Sequence, residues 1–227
     1  MRRVPRFLRE NNLTLAFGGA FLLTLVGQAL AGCAELNTVL TSASLHPVGC
    51  SEYVLTSDFL VDVTENWQSE FLQFFLYVFG TVWLVQRGSP ESKPLSRIGR
   101  ETDEQQKTGA YAGPDSPRWA SAGGIRQGLY SSSLGIVMFL IFLLSWLAQS
   151  VTGVVTYNED QLRQFQDPVS WNTYVLSAEF WNRTLQNWQS ELLAVASMVV
   201  LSVYLRQRGS PESKPVGAAH TSTGVEG

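Results

Sequence analysis

Four polar side chains recur at helical spacing in an otherwise apolar part of the chain: Asp62, Asn66, Glu70 and Gln73. Residues at i, i+4, i+8 and i+11 share one helix face. Arg183, Asn187 and Glu191 repeat the first three positions, and Ala194 then breaks the series. Gln28 and Gln149 lie at comparable depth in two other apolar stretches. Such residues suit two chemistries. In one, Glu70 and Glu191 line an outward-facing vestibule for a cation or proton, their ionisation set by desolvation and by partners. In the other, the carboxylates and amides tie helices together, at roughly 0.6 kcal/mol per hydrogen bond in a membrane, and Asp62 pairs with Arg183. The second is favoured, because few polar residues continue a path below Gln73: Thr81 on one helix, Ser197 and Ser202 on the other. A non-enzymatic protein is expected, with no cofactor, no metal and no nucleic-acid partner. The sequence holds no Ser/His/Asp set, no ligand cluster and no cofactor loop, and His46 and His220 stand apart.

The elements that must carry these residues read as membrane helices. Charged residues are 15% of the 227 and are almost missing from four apolar runs, Leu13–Gly32, Trp67–Gln86, Leu129–Gly153 and Trp188–Leu205. Crossing ~30 Å of hydrocarbon takes about 20 helical residues. Of the 16 Lys and Arg, 14 fall in the N-terminal tail, the segment after the second run and the C-terminal tail; Arg163 and Arg183 alone fall in the other two connections. Cytoplasmic segments carry the Lys/Arg excess, so both termini are expected inside and the loops near 33–66 and 154–187 outside. Trp67 and Trp188 then anchor the outer interface.

The chain also contains itself twice. A shift of 121 residues aligns Asn66–Glu70 with Asn187–Glu191, and QRGSPESKP at 86–94 with the same letters at 207–215; from Asn66 to Pro94, 18 of 29 positions are identical. A duplicated two-helix unit explains this, with the copies parallel about the membrane normal. The repeat bears on Leu30-Ala31-Gly32-Cys33, which resembles a lipoprotein processing site. Phe21–Thr24, Gln28 and Gly32 align with Phe142–Ser145, Gln149 and Gly153 of a mid-chain span, so the first span is expected to stay as a helix. Cys33 and Cys50, the two cysteines, fall in the first outer loop, where a disulfide can form. Their counterparts are Val154 and Trp171. Both positions change together, which favours a bridge in one copy over two free thiols.

The expected organisation is all-α: a basic cytoplasmic tail (1–12), a first two-helix repeat (13–94), a flexible cytoplasmic linker (95–127), a second repeat (128–215) and a disordered tail (216–227). Ser57-Asp58 and Ser177-Ala178-Glu179 read as helix starts with acids in the first turn. Helices two and four are thus expected to extend outside the bilayer, to about 30 residues each. Gly88 and Gly209 read as left-handed helix caps, with Pro90 and Pro211 barring continuation.

NWQSE before the second and fourth spans, with RQRGSPESKP after the fourth, resembles a bacterial domain-of-unknown-function family of small multi-pass membrane proteins. The resemblance covers residues 6–216 and implies a bacterial cell membrane, without an activity to transfer. The reading is therefore an integral membrane protein with a structural or interaction role; the alternative is a small channel or transporter using Glu70 and Glu191. The partners expected are the lipid bilayer and an envelope or membrane protein, since the outer loops hold five and four acids.

Overall fold

The computed structural model describes residues 5–225. It is all-helical, with no strand among the described residues. The helices are α1 (Arg6–Glu10), α2 (Asn12–Ser42), α3 (Cys50–Tyr53), α4 (Ser57–Gly80), α5 (Ile125–Ser131), α6 (Ser133–Arg163), α7 (Trp171–Val175) and α8 (Ala178–Tyr204). Helices α2 and α6 are each 31 residues, and both are long and apolar enough to cross a membrane. In α2 no residue of the most apolar window is buried, and in α6 only 22% are. So much uncovered apolar surface is not a feature of ordinary soluble surfaces.

Starts and stops follow local chemistry. The Ser177 hydroxyl accepts from Phe180 N at 3.2 Å and caps α8. In the first half the cap is Thr56, one residue before the expected Ser57, and it accepts from Phe59 N at 3.5 Å. Helix α8 is 27 residues, but α4 stops at Gly80 after 24, not at Gln86 as the apolar run suggested. Glycine costs a helix about 1 kcal/mol relative to alanine. Leu201 stands at the equivalent place in α8 and continues it to Tyr204. Beyond Gly80 the chain turns, with Trp83 N and Leu84 N both donating to Gly80 O, and Gly99 N donating to Val82 O at 2.8 Å. Turns and two 3-10 segments, Leu95–Arg97 and Gly109–Tyr111, lead to α5.

Two compact units make up the chain. The first runs to Val63 and includes Thr152–Pro168. Its core is Cys33, Tyr53, Phe59 and Val63, flanked by Leu25, Ala29 and Leu36. A disulfide joins Cys33 to Cys50, with Cα atoms 5.4 Å apart. Asn37 closes the same loop by donating to Val48 O at 2.9 Å and accepting from Val48 N at 2.7 Å. Tyr53 meets Phe59 edge-on at 5.5 Å. The Tyr53 ring lies directly over Gly32: a Cβ there would sit 2.7 Å from Tyr53 Cζ. Gly32→Val is therefore expected to destabilise by about 2 kcal/mol or more, the cost of overpacking. Denaturant titration of the two proteins in the same detergent checks this, and an unchanged midpoint contradicts it.

The second unit comprises Thr64–Val151 and the chain from Val169 onward. Aromatic rings fill its interior. Trp146 of α6 lies 5.7 Å from Trp188 and 6.2 Å from Phe180, both on α8. Phe75 of α4 lies 4.9 Å from Phe139 of α6. Ring pairs at such separations contribute about 0.5–1.5 kcal/mol beyond their buried area.

The two QRGSPESKP copies fold alike. Ser89 N donates to Gln86 O at 3.1 Å and Ser210 N to Gln207 O at 3.2 Å; Gln86 N and Gln207 N donate to the Ser92 and Ser213 hydroxyls at 2.8 and 2.9 Å. Gly88 and Gly209 take φ of 90° and 81°. They do not cap the helices, which end earlier. They occupy the third position of a four-residue turn, where positive φ is required and glycine supplies it without strain. Between Ala218 and Gly224 the tail makes hydrogen bonds back to the chain. Lys214 is buried, and its ammonium donates to the carbonyls of Gly88, Ala219, His220 and Ser222 at 2.5–3.2 Å. A buried ammonium must be surrounded by acceptors, and the tail supplies three of the four.

Candidate functional site

The polar face of α4 that turns inward is one position away from the stripe read in the sequence. Glu65, Gln68 and Ser69 are buried, whereas Asp62, Asn66 and Glu70 are exposed and Gln73 is half-buried. On α8, Arg183, Asn187, Trp188 and Glu191 are half-buried and Thr184 is buried. Gln149 of α6 is buried and Gln28 of α2 half-buried. Trp67 is exposed.

Glu65 organises this face. Its Oε2 accepts from Arg183 Nη2 at 2.7 Å and Nε at 2.9 Å, and its Oε1 accepts from Asn187 Nδ2 at 2.5 Å. Asn187 Nδ2 also reaches the Arg183 carbonyl at 3.0 Å, fixing the amide on its own helix. One turn along α4, Gln68 Oε1 accepts from the Trp188 indole at 2.7 Å. Two helices are thus joined by a charge-assisted fork, stronger than neutral hydrogen bonds, and by an indole–amide bond. The stripe left out Glu65, which the structure places on Arg183. A signal was present: Val61, Glu65, Gln68 and Leu72 fall at helical spacing and continue into Phe75 and Phe79, so the face holding Glu65 is the one that carries the apolar residues.

Gln149, Gln68 Nε2, Thr184 Oγ1 and Trp146 Nε1 are buried with no hydrogen-bond partner among the described residues. These are neutral groups, suited to hydrogen bonding rather than to proton transfer or metal ligation. No group of three or more His, Cys, Asp or Glu able to hold a metal occurs among the described residues. Glu70 and Glu191 lie close enough for their charges to interact. Gln73 lines an open cavity of about 290 Å³ with Leu76, Leu192 and Val195.

A model of the family described as a domain of unknown function, DUF6766, matches residues 4–225. The chain belongs to this family. No curated protein and no solved structure matches this DUF6766 chain. The match covers both cysteines, the Glu65 fork and both QRGSPESKP loops of the DUF6766 domain.

Two further features concern the cysteine loop and its counterpart. Lipidation at Cys33 would use the sulfur that the structure places in the Cys33–Cys50 bridge, and α2 continues without a break through Cys33 to Ser42. At the equivalent junction of the second half, Trp171 donates its indole N–H to Ser150 Oγ at 3.1 Å. Trp171, the counterpart of Cys50, is thus tied to α6 by a hydrogen bond one turn before Val154, the counterpart of Cys33.

Glu159, near the end of α6, is held above the ordinary carboxylate range by burial first and then by repulsion from Asp58 and Asp160, against an opposing pull from Arg163. A carboxyl with a raised folded-state pKa binds its proton more tightly when folded. Its favourable contribution is complete below the unfolded pKa and is lost as pH rises through the folded one. Glu159→Gln is therefore expected to raise thermal stability at neutral pH and to leave it unchanged near pH 4, the range of an unperturbed carboxyl. Melting curves at the two pH values check this, and an equal effect at both contradicts it.

Proposed function

We propose that the chain is a non-enzymatic integral membrane protein with four spans, arranged as two parallel two-helix repeats with both termini cytoplasmic, and that its role is structural or interactive in a bacterial cell membrane. The observation that carries this reading is the repetition of the apolar helices: α2 and α6 begin at Asn12 and Ser133 and end at Ser42 and Arg163, the same 121-residue shift that aligns the sequence halves. The one-sided Lys/Arg distribution supports the orientation. A static role is supported by the Glu65–Arg183–Asn187 fork, which holds α4 to α8 through groups that would have to separate in a gating helix pair. Single cysteines placed at Ala110 and Gln164 test the topology. Gln164→Cys is expected to react with an impermeant maleimide in intact cells, and Ala110→Cys only after permeabilisation. Labelling of position 110 from outside overturns the orientation.

One observation favours a second reading, a small channel or transporter with a cation or proton site: the Glu70 and Glu191 carboxylates lie within electrostatic reach of each other. In reconstituted vesicles the structural reading expects no pH-driven ion flux from the unmodified protein. Flux that disappears in the combined Glu70→Gln, Glu191→Gln variant replaces it with the transport reading.

A further inference from the structure

The nine residues that occur twice fold alike but are covered differently. In the first copy Gly88, Ser89 and Pro90 are buried; in the second Gly209 and Pro211 are exposed and Ser210 half-buried. The chain's own tail covers the first. Thr223 Oγ1 accepts from Gly88 N at 2.9 Å, Gly224 N donates to Ser89 O at 3.1 Å, and Lys214 holds the Gly88, His220 and Ser222 carbonyls together around one ammonium. A Cβ on Gly88 would collide with the His220 carbonyl oxygen, whereas one on Gly209 meets nothing within 4 Å. Beside the second copy lies a cavity of about 310 Å³ lined by Gln207, Arg208, Gly209, Lys214, Pro215 and Val216.

We propose that the loop at 207–215 is a docking site for an extended peptide of another protein whose chemistry matches Ser222-Thr223-Gly224: small residues, a hydroxyl, then a glycine. The first copy shows the mode of binding, because the chain's own tail occupies it. A hydroxyl accepts from the glycine N–H of the turn, and the next backbone N–H donates to the following serine carbonyl. Ser210 O already accepts from Ser213 N at 3.3 Å, and a carbonyl has a second lone pair for the guest. Glycine in the guest lets two backbones approach closely. The tail is engaged at Gly88 and Ser89, so the second loop takes its occupant from another protein. This inference does not depend on the number of spans.

The test uses the full chain in detergent and a fluorescein-labelled peptide of residues 216–227, read by anisotropy. Saturable binding is expected at one peptide per chain. Gly209→Ala should weaken it by about tenfold or more, because the added Cβ stands where the guest backbone must pass. Val216→Trp should do the same by filling the cavity from an exposed position, without touching the turn. A peptide with alanine at the positions of Thr223 and Gly224 should fail to compete. The proposal is overturned if no saturation is reached at millimolar peptide, or if both variants bind as the parent does. It is equally overturned if the chain sediments as a dimer that the peptide splits, since a second copy would then be the occupant.

Discussion

Arg183→Ala is expected to lower the unfolding free energy by about 3 kcal/mol, near the bottom of the range for breaking a buried ion pair, because the arginine is partly open to solvent. Glu65 is 7% exposed; without Arg183 its carboxylate keeps the Asn187 amide as its hydrogen-bond donor among the described residues. Desolvation of that uncompensated charge is the main cost. The pair itself is worth less than its removal suggests, so the Glu65→Leu, Arg183→Leu double variant should recover most of the loss. The two sites share one set of bonds and should be strongly non-additive, with a coupling of order 1 kcal/mol or more. Trp188, bonded to Gln68 one turn away, reports unfolding by fluorescence. Additive single-variant effects would show that the fork contributes nothing as a unit.

Opening the Cys33–Cys50 bridge is the second large effect expected. The bridge closes a loop with a sequence separation of 17, and constraint of that size contributes about 3 kcal/mol through the unfolded chain. For a protein of this size the midpoint of thermal unfolding should fall by roughly 6–12 °C. Cys50→Ser and treatment of the parent with reductant should give the same shift, and reductant should have no further effect on the variant. The Asn37–Val48 bonds remain in place, so the loop is loosened rather than lost. A reductant-insensitive midpoint would mean that the loop is held by Asn37 and the Tyr53–Phe59 packing alone. The second half offers an internal comparison: Trp171→Phe removes the bond to Ser150 together with part of the ring and should cost about 1 kcal/mol or more.

Much of the architecture was legible before any coordinates. The all-helical class, the caps at Ser177 and near Ser57, and the apolar character of α2 and α6 depend on side chains a few residues apart. The pairing of Cys33 with Cys50 was legible for a different reason: the repeat supplied a comparison in which both positions changed together. Gly80 was visible too, but its effect was masked by the apolar residues after it, Val82 to Val85, which satisfy hydropathy whether or not the backbone stays helical.

What the sequence determined by itself is local: helix, turn and apolar face, each dictated by backbone preference and periodicity within about one to three turns. Tertiary structure alone decided which polar groups meet. Successive residues on a helix are about 100° apart, so a shift of one position exchanges Glu70 for Ser69, and Asn66 for Glu65, on the buried face. That rotation is set by packing against another helix, here Trp146 and Trp188 with Phe75 and Phe139, whose partners lie more than 40 residues away in the chain. The docking of 216–225 on 86–94 is the same kind of fact. A polar tail carries no apolar signal of its own, and what gives it a place is the buried Lys214 ammonium, with its need for carbonyl oxygens, together with the bonds of Thr223 and Gly224 to Gly88 and Ser89.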